Sequence, residues 1–255
     1  MNNPPDIKQP ASAAAPQARY GIDAPTAMRN LVVLGIGCIG AGIAAQFAAY
    51  AMRLGWLAVA GGMCAISGAW FLMSAGVMLW GSLIGKMRLR DKVLALAELR
   101  GDEMVLDVGC GHGLMLIGAA RRLGSGHAVG IDIWSNIDQA SNSAAATMAN
   151  VRAEGVEDRV ELRTADMREL PFPDDAFDVV LSSWAIHNLN AAEERERALR
   201  EIVRVLKPGG RVAIVDIRHT ARYLSVLQAA GLRDLRRFGR SFLFVIPTHI
   251  VTGTK

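Results

Sequence analysis

An α/β fold with a doubly wound, mostly parallel seven-stranded sheet, preceded by two transmembrane helices, is what the 255-residue sequence predicts. Three observations predict it. Between Leu31 and Gly85 the only charged residue is Arg53. From Met104 onward, short apolar runs alternate with helical stretches, the pattern of βαβ units covered on both faces. The first of those runs pours into a loop with glycine at every second position, Val105-Leu106-Asp107-Val108-Gly109-Cys110-Gly111-His112-Gly113.

Taking the elements in order, residues 1–30 carry Pro4, Pro5, Pro10, Pro16 and Pro25 among alanines and read as a disordered tail. Segments 31–52 and 57–84 are each long enough, at about 1.5 Å per residue, to cross a hydrocarbon core of about 30 Å. A cleaved signal peptide fits poorly, because the apolar run starts only after Asn30 and is too long. Small residues four apart, at Gly37, Ala41 and Ala45 and at Gly61, Ala65 and Ala69, suit close helix packing in lipid. Trp56 and Trp80 stand where interfacial anchors stand. A hairpin spanning the membrane through residues 31–85 is therefore expected, with an interfacial or re-entrant hairpin as the alternative. A basic linker helix, 86–103, begins with Lys86, Arg88, Arg90 and Lys92, against one arginine at the connection between the spans. The positive-inside rule then places the following domain, and the N-terminus, on the cytoplasmic side.

Residues 104–255 form one domain. Its strands are expected near 104–108, 127–133, 160–163, 177–183 and 211–217. Helices lie between them at 114–123, stopped by Gly124, at 135–154 and at 191–205. After a helix at 221–230, stopped by Gly231, segments 233–238 and 242–252 read as a closing antiparallel pair. In such a sheet the ligand lies at the carboxyl ends of the strands, where the order reverses.

The glycine loop lets a small charged molecule approach backbone, and glycine tolerates the positive φ such a turn needs. A dinucleotide fingerprint would want glycine at 114, where Leu114 stands, and no Gly-Lys-Ser/Thr follows to make a phosphate-cradling P-loop. A plain strand-to-helix turn is the bland alternative. Three further blocks bear on the choice: the strand 127–134 with Asp132, the strand 160–167 with Asp166, and the pair formed by Phe172-to-Ser183 and Arg204-to-Asp216 around Lys207-Pro208-Gly209-Gly210. In this order the blocks resemble the class I S-adenosylmethionine-dependent methyltransferases, including the branch of ubiquinone and menaquinone methyltransferases.

The resemblance implies a Rossmann-like methyltransferase fold with S-adenosyl-L-methionine as cofactor. It implies that Asp107, Gly109, Cys110, Gly111 and Gly113 cradle that cofactor, and that Asp132 accepts the ribose hydroxyls. Ile133 and Trp134 would then pack on the adenine, Asp166 would meet its amino group with the Met167 amide nearby, and the strand end at Ser182 would face the transferable methyl. An aspartate that only caps the next helix remains the ordinary reading of Asp132.

The implied reaction is an in-line displacement of methyl from a sulfonium, in which the protein supplies alignment and, for a protonated nucleophile, a base. His187, just past the strand end in Ser183-Trp184-Ala185-Ile186-His187-Asn188-Leu189, is the candidate catalytic base. A histidine that merely caps the following helix is the alternative. His112 has a weaker claim, and His127, His219 and His249 have no motif context.

A membrane anchor suits a lipid-like acceptor, whereas a small soluble acceptor needs none. A membrane-tethered S-adenosylmethionine sensor or scaffold without turnover is the competing class. Net charge is +4 with acids and bases interspersed, so no nucleic-acid partner is expected. Arg218, Arg222, Arg233, Arg236, Arg237 and Arg240 are either a face for anionic headgroups or a plain excess of surface arginine. Cys38, Cys64 and Cys110 suggest neither a disulfide framework nor a metal site.

Overall fold

The computed structural model describes residue 18 and residues 20–135, 142–243 and 246–255. Helix α1 (Pro25–Met52) and helix α2 (Gly55–Trp80) form an antiparallel hairpin turned at Arg53, whose φ is 52°. The seam between them is built on Gly35 and Gly42 against Gly68 and Gly61. A Cβ on Gly42 would come within 2.7 Å of the Gly61 carbonyl, and one on Gly68 within 2.7 Å of the Gly35 carbonyl. Only part of the expected small-residue pattern is used: Ala45 and Ala65 sit at the seam, while Gly37 faces open space. Outward stand Phe47, Tyr50, Met63, Ile66 and Trp70, all exposed.

Helix α2 does not stop at its last apolar residue. It passes through one π-helical turn (Gly81–Gly85) into α3 (Lys86–Leu96), a helical path of 42 residues. This third helix is more than a basic linker, because Leu89, Val93, Leu94 and Ala97 are buried with Leu116, Ile117 and Ala120 on one face of the sheet. Lys86 and Arg90 of the basic cluster point into the protein, leaving Arg88 and Lys92 exposed. The expected tail is also shorter than 1–30. Residues 25–30 are the first turns of α1, and Tyr20, Gly21 and Asp23 are held by Lys86, while 1–17 and 19 lie outside the described residues.

The domain is a seven-stranded sheet of order β3-β2-β1-β4-β5-β7-β6. Its strands are β1 (Met104–Val108), β2 (His127–Asp132), β3 (Val160–Thr164), β4 (Phe177–Ser183), β5 (Leu206–Asp216), β6 (Arg233–Ser241) and β7 (Thr248–Thr254). The first five are parallel and β7 runs antiparallel to both neighbours. Order reverses between β1 and β4, which opens a crevice at their carboxyl ends. Helices α4 (Leu114–Ala120) and α5 (Ala144–Ala153) lie with α3 on one face, and α6 (Ala192–Val205) and α7 (Thr220–Ala229) on the other, where Leu199, Ile202, Tyr223 and Leu227 pack on Leu106, Val180 and Ile214.

Several boundaries differ from expectation for local reasons. The helix expected over 135–154 is observed as α5, started by Ser143, whose hydroxyl accepts from the Ala146 amide at 3.1 Å; 136–141 lie outside the described residues. Strand β5 begins at Leu206 and carries Pro208-Gly209-Gly210 within it, because Leu206 pairs with Phe177 before a bulge resets the register at Val179 and Arg211. The final pair is β6 and β7, so Phe242 and Leu243 belong to the connection between them.

Candidate functional site

A cavity of about 750 Å³ opens at the carboxyl ends of β1, β2 and β4. Its floor is the glycine loop from Gly109 to His112; Gly109 and Gly111 have φ of 75° and 49°, and Gly113, which starts α4 off the cavity, has 84°. Only glycine takes such angles freely, and at Gly109 a side chain would also run into the Ala185 methyl. The loop is tied at both ends. The Gly109 and Cys110 amides donate to the Ile131 carbonyl at 2.9 and 3.0 Å. From α5, the Thr147 hydroxyl donates to the Gly111 carbonyl at 2.6 Å and the Asn150 amide to the His112 carbonyl at 2.9 Å.

Those two α5 residues were missed at the level of sequence. Their signal is a Thr-x-x-Asn pair on one helical face, which only the docking of α5 over the loop turns into a clamp.

Asp132 stands at the end of β2 across from the loop. One carboxylate oxygen accepts from the Gly111 amide at 2.9 Å; the other accepts from the Trp134 amide at 2.7 Å and the Asn142 side chain at 3.2 Å. Through these bonds it positions the loop as well as lining the cavity. Ile133 lines the cavity, 62% exposed. Trp134 does not: with a φ of 58° its ring turns toward β3, where Nε1 donates to the Thr164 hydroxyl at 2.8 Å. The expectation that both pack over one ligand face therefore fails for Trp134.

Two more expected residues are differently engaged. Ser182 is buried and off the cavity; its hydroxyl donates to the Val108 carbonyl at 2.9 Å, bridging β4 to β1, and its neighbour Ser183 lines the cavity instead. Asp166 and Met167 line the cavity, but the Asp166 carboxylate is gripped by Arg168, whose side chain donates to its two oxygens at 2.6–3.0 Å. That guanidinium holds Asp166 below the usual carboxylate range and also bonds Glu194.

Asp107 carries the strongest electrostatic signature. It is fully buried at the end of β1, lines the cavity, and neither carboxylate oxygen has a hydrogen-bond partner. Burial pushes its carboxyl up to about 7; the nearby Leu116 amide, outside hydrogen-bond geometry, works against that, and the Asp132 charge adds to it. A buried, unpaired acid facing a cavity is costly to keep unless a cationic ligand meets it. Cys110, also buried, has its thiol pushed up by desolvation and by the same two acids.

On the far wall, the His187 Nδ1 lies 2.5 Å from an oxygen of Asp216, without hydrogen-bond alignment. Asp216 is fully buried at the end of β5 and accepts from the His187 amide at 3.2 Å, the Ile217 amide at 2.7 Å and the Tyr223 hydroxyl at 3.1 Å. Desolvation, the Asp216 charge and this hydrogen bond all raise the Tyr223 phenol. Sequence marks Asp216 only as a strand end; its link to His187 exists because β4 and β5 end side by side, with Ser183 opposite Val215. Of the other histidines, His112 lines the cavity, whereas burial and the nearby Arg195 lower His219.

The last wall comes from outside the sheet. Tyr20, Asp23, Lys86, Leu89 and Arg90 line the cavity. The Lys86 ammonium, 6% exposed, donates to the Tyr20 and Gly21 carbonyls at 2.9 and 2.6 Å and to the Asp23 carboxylate at 3.1 Å, so residues 20–23 lie as a strap over the site.

Sheet order, glycine loop and facing acid are together those of the Rossmann-like methyltransferase fold. Residues 106–214 match the family described as "Methyltransferase domain", and the similar proteins indicate S-adenosylmethionine as the cofactor. It is 34% identical over 166 residues to 27-O-demethylrifamycin SV methyltransferase of Amycolatopsis mediterranei, covering 62% of this chain and 54% of that one. To the demethylmenaquinone methyltransferase of Symbiobacterium thermophilum it is 36% identical over 124 residues, 48% of this chain and 46% of the relative. The chain thus spans about half the length of the curated relatives it matches. Among solved structures, an S-adenosylmethionine-dependent methyltransferase from Aquifex aeolicus superposes with a TM-score of 0.52 at 23% identity over 65% of this chain and 88% of that one. The [4+2]-cyclase SpnF superposes with 0.54 at 24% identity over 66% and 80%, which speaks for the fold alone.

Proposed function

We propose that the protein is a membrane-anchored methyltransferase that moves a methyl group from S-adenosylmethionine to a small-molecule or lipid-like acceptor. The observation that carries this reading is the composition of the cavity at the carboxyl ends of the strands: its floor is the glycine loop with a buried acid, and one of its walls is α3, the continuation of an apolar helix. Both long helices are apolar enough to cross a bilayer, and only 11% of each apolar window is buried, unlike helices inside a soluble core. The exposed Arg88 and Lys92 past the second helix favour a cytoplasmic domain.

The cofactor supplies an activated methyl on a sulfonium. In this reading Asp107 and the loop amides bind its cationic amino-acid end, and Asp132, already oriented by two backbone amides, has lone pairs left for ribose hydroxyls. Ile133 offers an apolar face for the base. His187, on the cavity wall, would take the proton of the acceptor, and Asp216, 2.5 Å from its Nδ1, would balance the imidazolium that forms.

Two measurements test this. Purified chain in detergent, given isotope-labelled S-adenosylmethionine and a bacterial lipid extract, is expected to label a lipid-phase product, and failure to label any fraction would favour a binding scaffold. Membranes carrying the chain are expected to retain it through alkaline carbonate washing, and release would rule out integral spans.

A further inference from the structure

We propose that Phe242, Leu243 and Ile246, between β6 and β7, form a second membrane contact, seated in the interfacial layer of an anionic bilayer and holding the mouth of the site at the lipid surface. The juxtaposition is direct. The Leu243 carbonyl packs so tightly on Gly85, the last residue of the π-helical turn, that any side chain there would collide with it. The Trp80 ring lies beside the same glycine, and the Arg88 guanidinium sits 5.9 Å from the centre of that ring. Leu243 is therefore held at the level where the apolar helix ends and the charged one begins.

At that level the surface is apolar and uncovered. Phe242 is 61% exposed and Ile246 47%; Leu83 and Ile84, next to the Gly85 that meets Leu243, are also exposed. Large exposed apolar side chains bunched next to a membrane-crossing helix, with a tryptophan and arginines at their edge, are what an interfacial seat requires. The basic rim is present: Arg240 and Arg236 are exposed on β6, and Arg237 and Arg240 stand close enough to His249 to lower it, after burial. Anionic headgroups complement that rim.

The sheet makes the contact consequential. Because β7 is antiparallel to β5, with His249 opposite Asp216, the β6–β7 connection lies at the same end of the sheet as the cavity. Lys86, which lines that cavity, is the next residue after Gly85. Two fixed points, the helix and this connection, leave the domain no freedom to swing away, so the acceptor is drawn from the lipid phase. The inference rests on the reading that α1 and α2 cross the bilayer.

The test uses the full chain with Cys38 and Cys64 replaced by alanine, reconstituted in vesicles of equal parts phosphatidylglycerol and phosphatidylcholine. Single cysteines Phe242→Cys, Ile246→Cys, Val59→Cys and Ser125→Cys carry an environment-sensitive fluorophore; the parent variant reports any label on buried Cys110. An interfacial seat puts a label roughly 5–10 Å into the headgroup–acyl boundary, so lipids with a quencher high on the acyl chain are expected to reduce emission about two-fold at 242 and 246. Ser125, exposed in the α4–β2 turn at the opposite end of the sheet, is expected to stay unquenched. Val59, exposed on α2, tests the spans separately. Quenching at 59 without quenching at 242 and 246 overturns this proposal alone, and no quenching at 59 overturns the anchoring reading beneath it. A blue-shifted but unquenched label at 242 would place another protein surface there, and likewise overturns the lipid seat.

Discussion

Replacing Asp107 by asparagine is expected to stabilise the cofactor-free protein while weakening its hold on S-adenosylmethionine. The carboxyl ordinarily titrates at 3.8, and in this site burial moves it to about 7. Below 3.8 it is protonated in both folded and unfolded chains and costs nothing. As pH rises toward 7 the unfolded chain loses the proton that the folded one still keeps, so stability falls; above 7 the full cost is present. At about 1.4 kcal/mol per pH unit, the cost is roughly 1.5 kcal/mol at pH 5 and roughly 4 kcal/mol at pH 8. The isosteric amide removes this pH-dependent part, so its advantage should grow by about 2–3 kcal/mol between the two, or about 5–10 °C in melting temperature for a chain of this size. Melting of the cofactor-free chain in detergent at pH 5 and pH 8 measures this. Calorimetry of cofactor binding at pH 8 should show a loss of roughly tenfold or more, the ~1.5–3 kcal/mol of a charged hydrogen bond. A melting advantage that does not grow with pH, or an affinity left intact, would refute the reasoning.

Other expectations follow from single contacts. Gly109→Ala places a methyl against Ala185 at a φ of 75°, and should abolish cofactor binding with a stability loss of about 1–3 kcal/mol; wild-type calorimetry would show that the loop yields. His187→Ala should keep cofactor affinity within a few-fold but lower methyl transfer by roughly 10²–10⁴, with the deficit shrinking as pH rises and the acceptor ionises unaided. Asp216→Asn should lower the rate less and change its pH profile, and a normal profile in both variants would make the pair structural. Lys86→Met removes three bonds that hold residues 20–23, so hydrogen exchange there should rise at least about tenfold, the scale of a lost charged hydrogen bond; unchanged protection would show the strap is held by other contacts.

The sequence by itself determined the class of the sheet, the cofactor and the two apolar helices, because each is written in local chemistry. Alternating apolar runs specify βαβ units, a run of glycines between a strand and a helix leaves backbone open to a ligand, and some fifty residues with one charge and no proline make long apolar helices. Tertiary structure decided the rest, because it depends on which way side chains turn and which distant segments meet. Trp134 points away from the cavity because of one left-handed backbone angle, and Ser182 faces β1 because strand alternation puts Ser183 on the open side. The expected adenine partner Asp166 is claimed by an arginine two residues on. Thr147 and Asn150 became the clamp of the glycine loop only once α5 docked over it, and Asp216 met His187 only because two strands end together. Lys86 read as one charge in a membrane-flanking cluster; buried beneath residues 20–23, it is a latch over the site, since an ammonium taken out of water must find acceptors and the nearest ones belong to the strap.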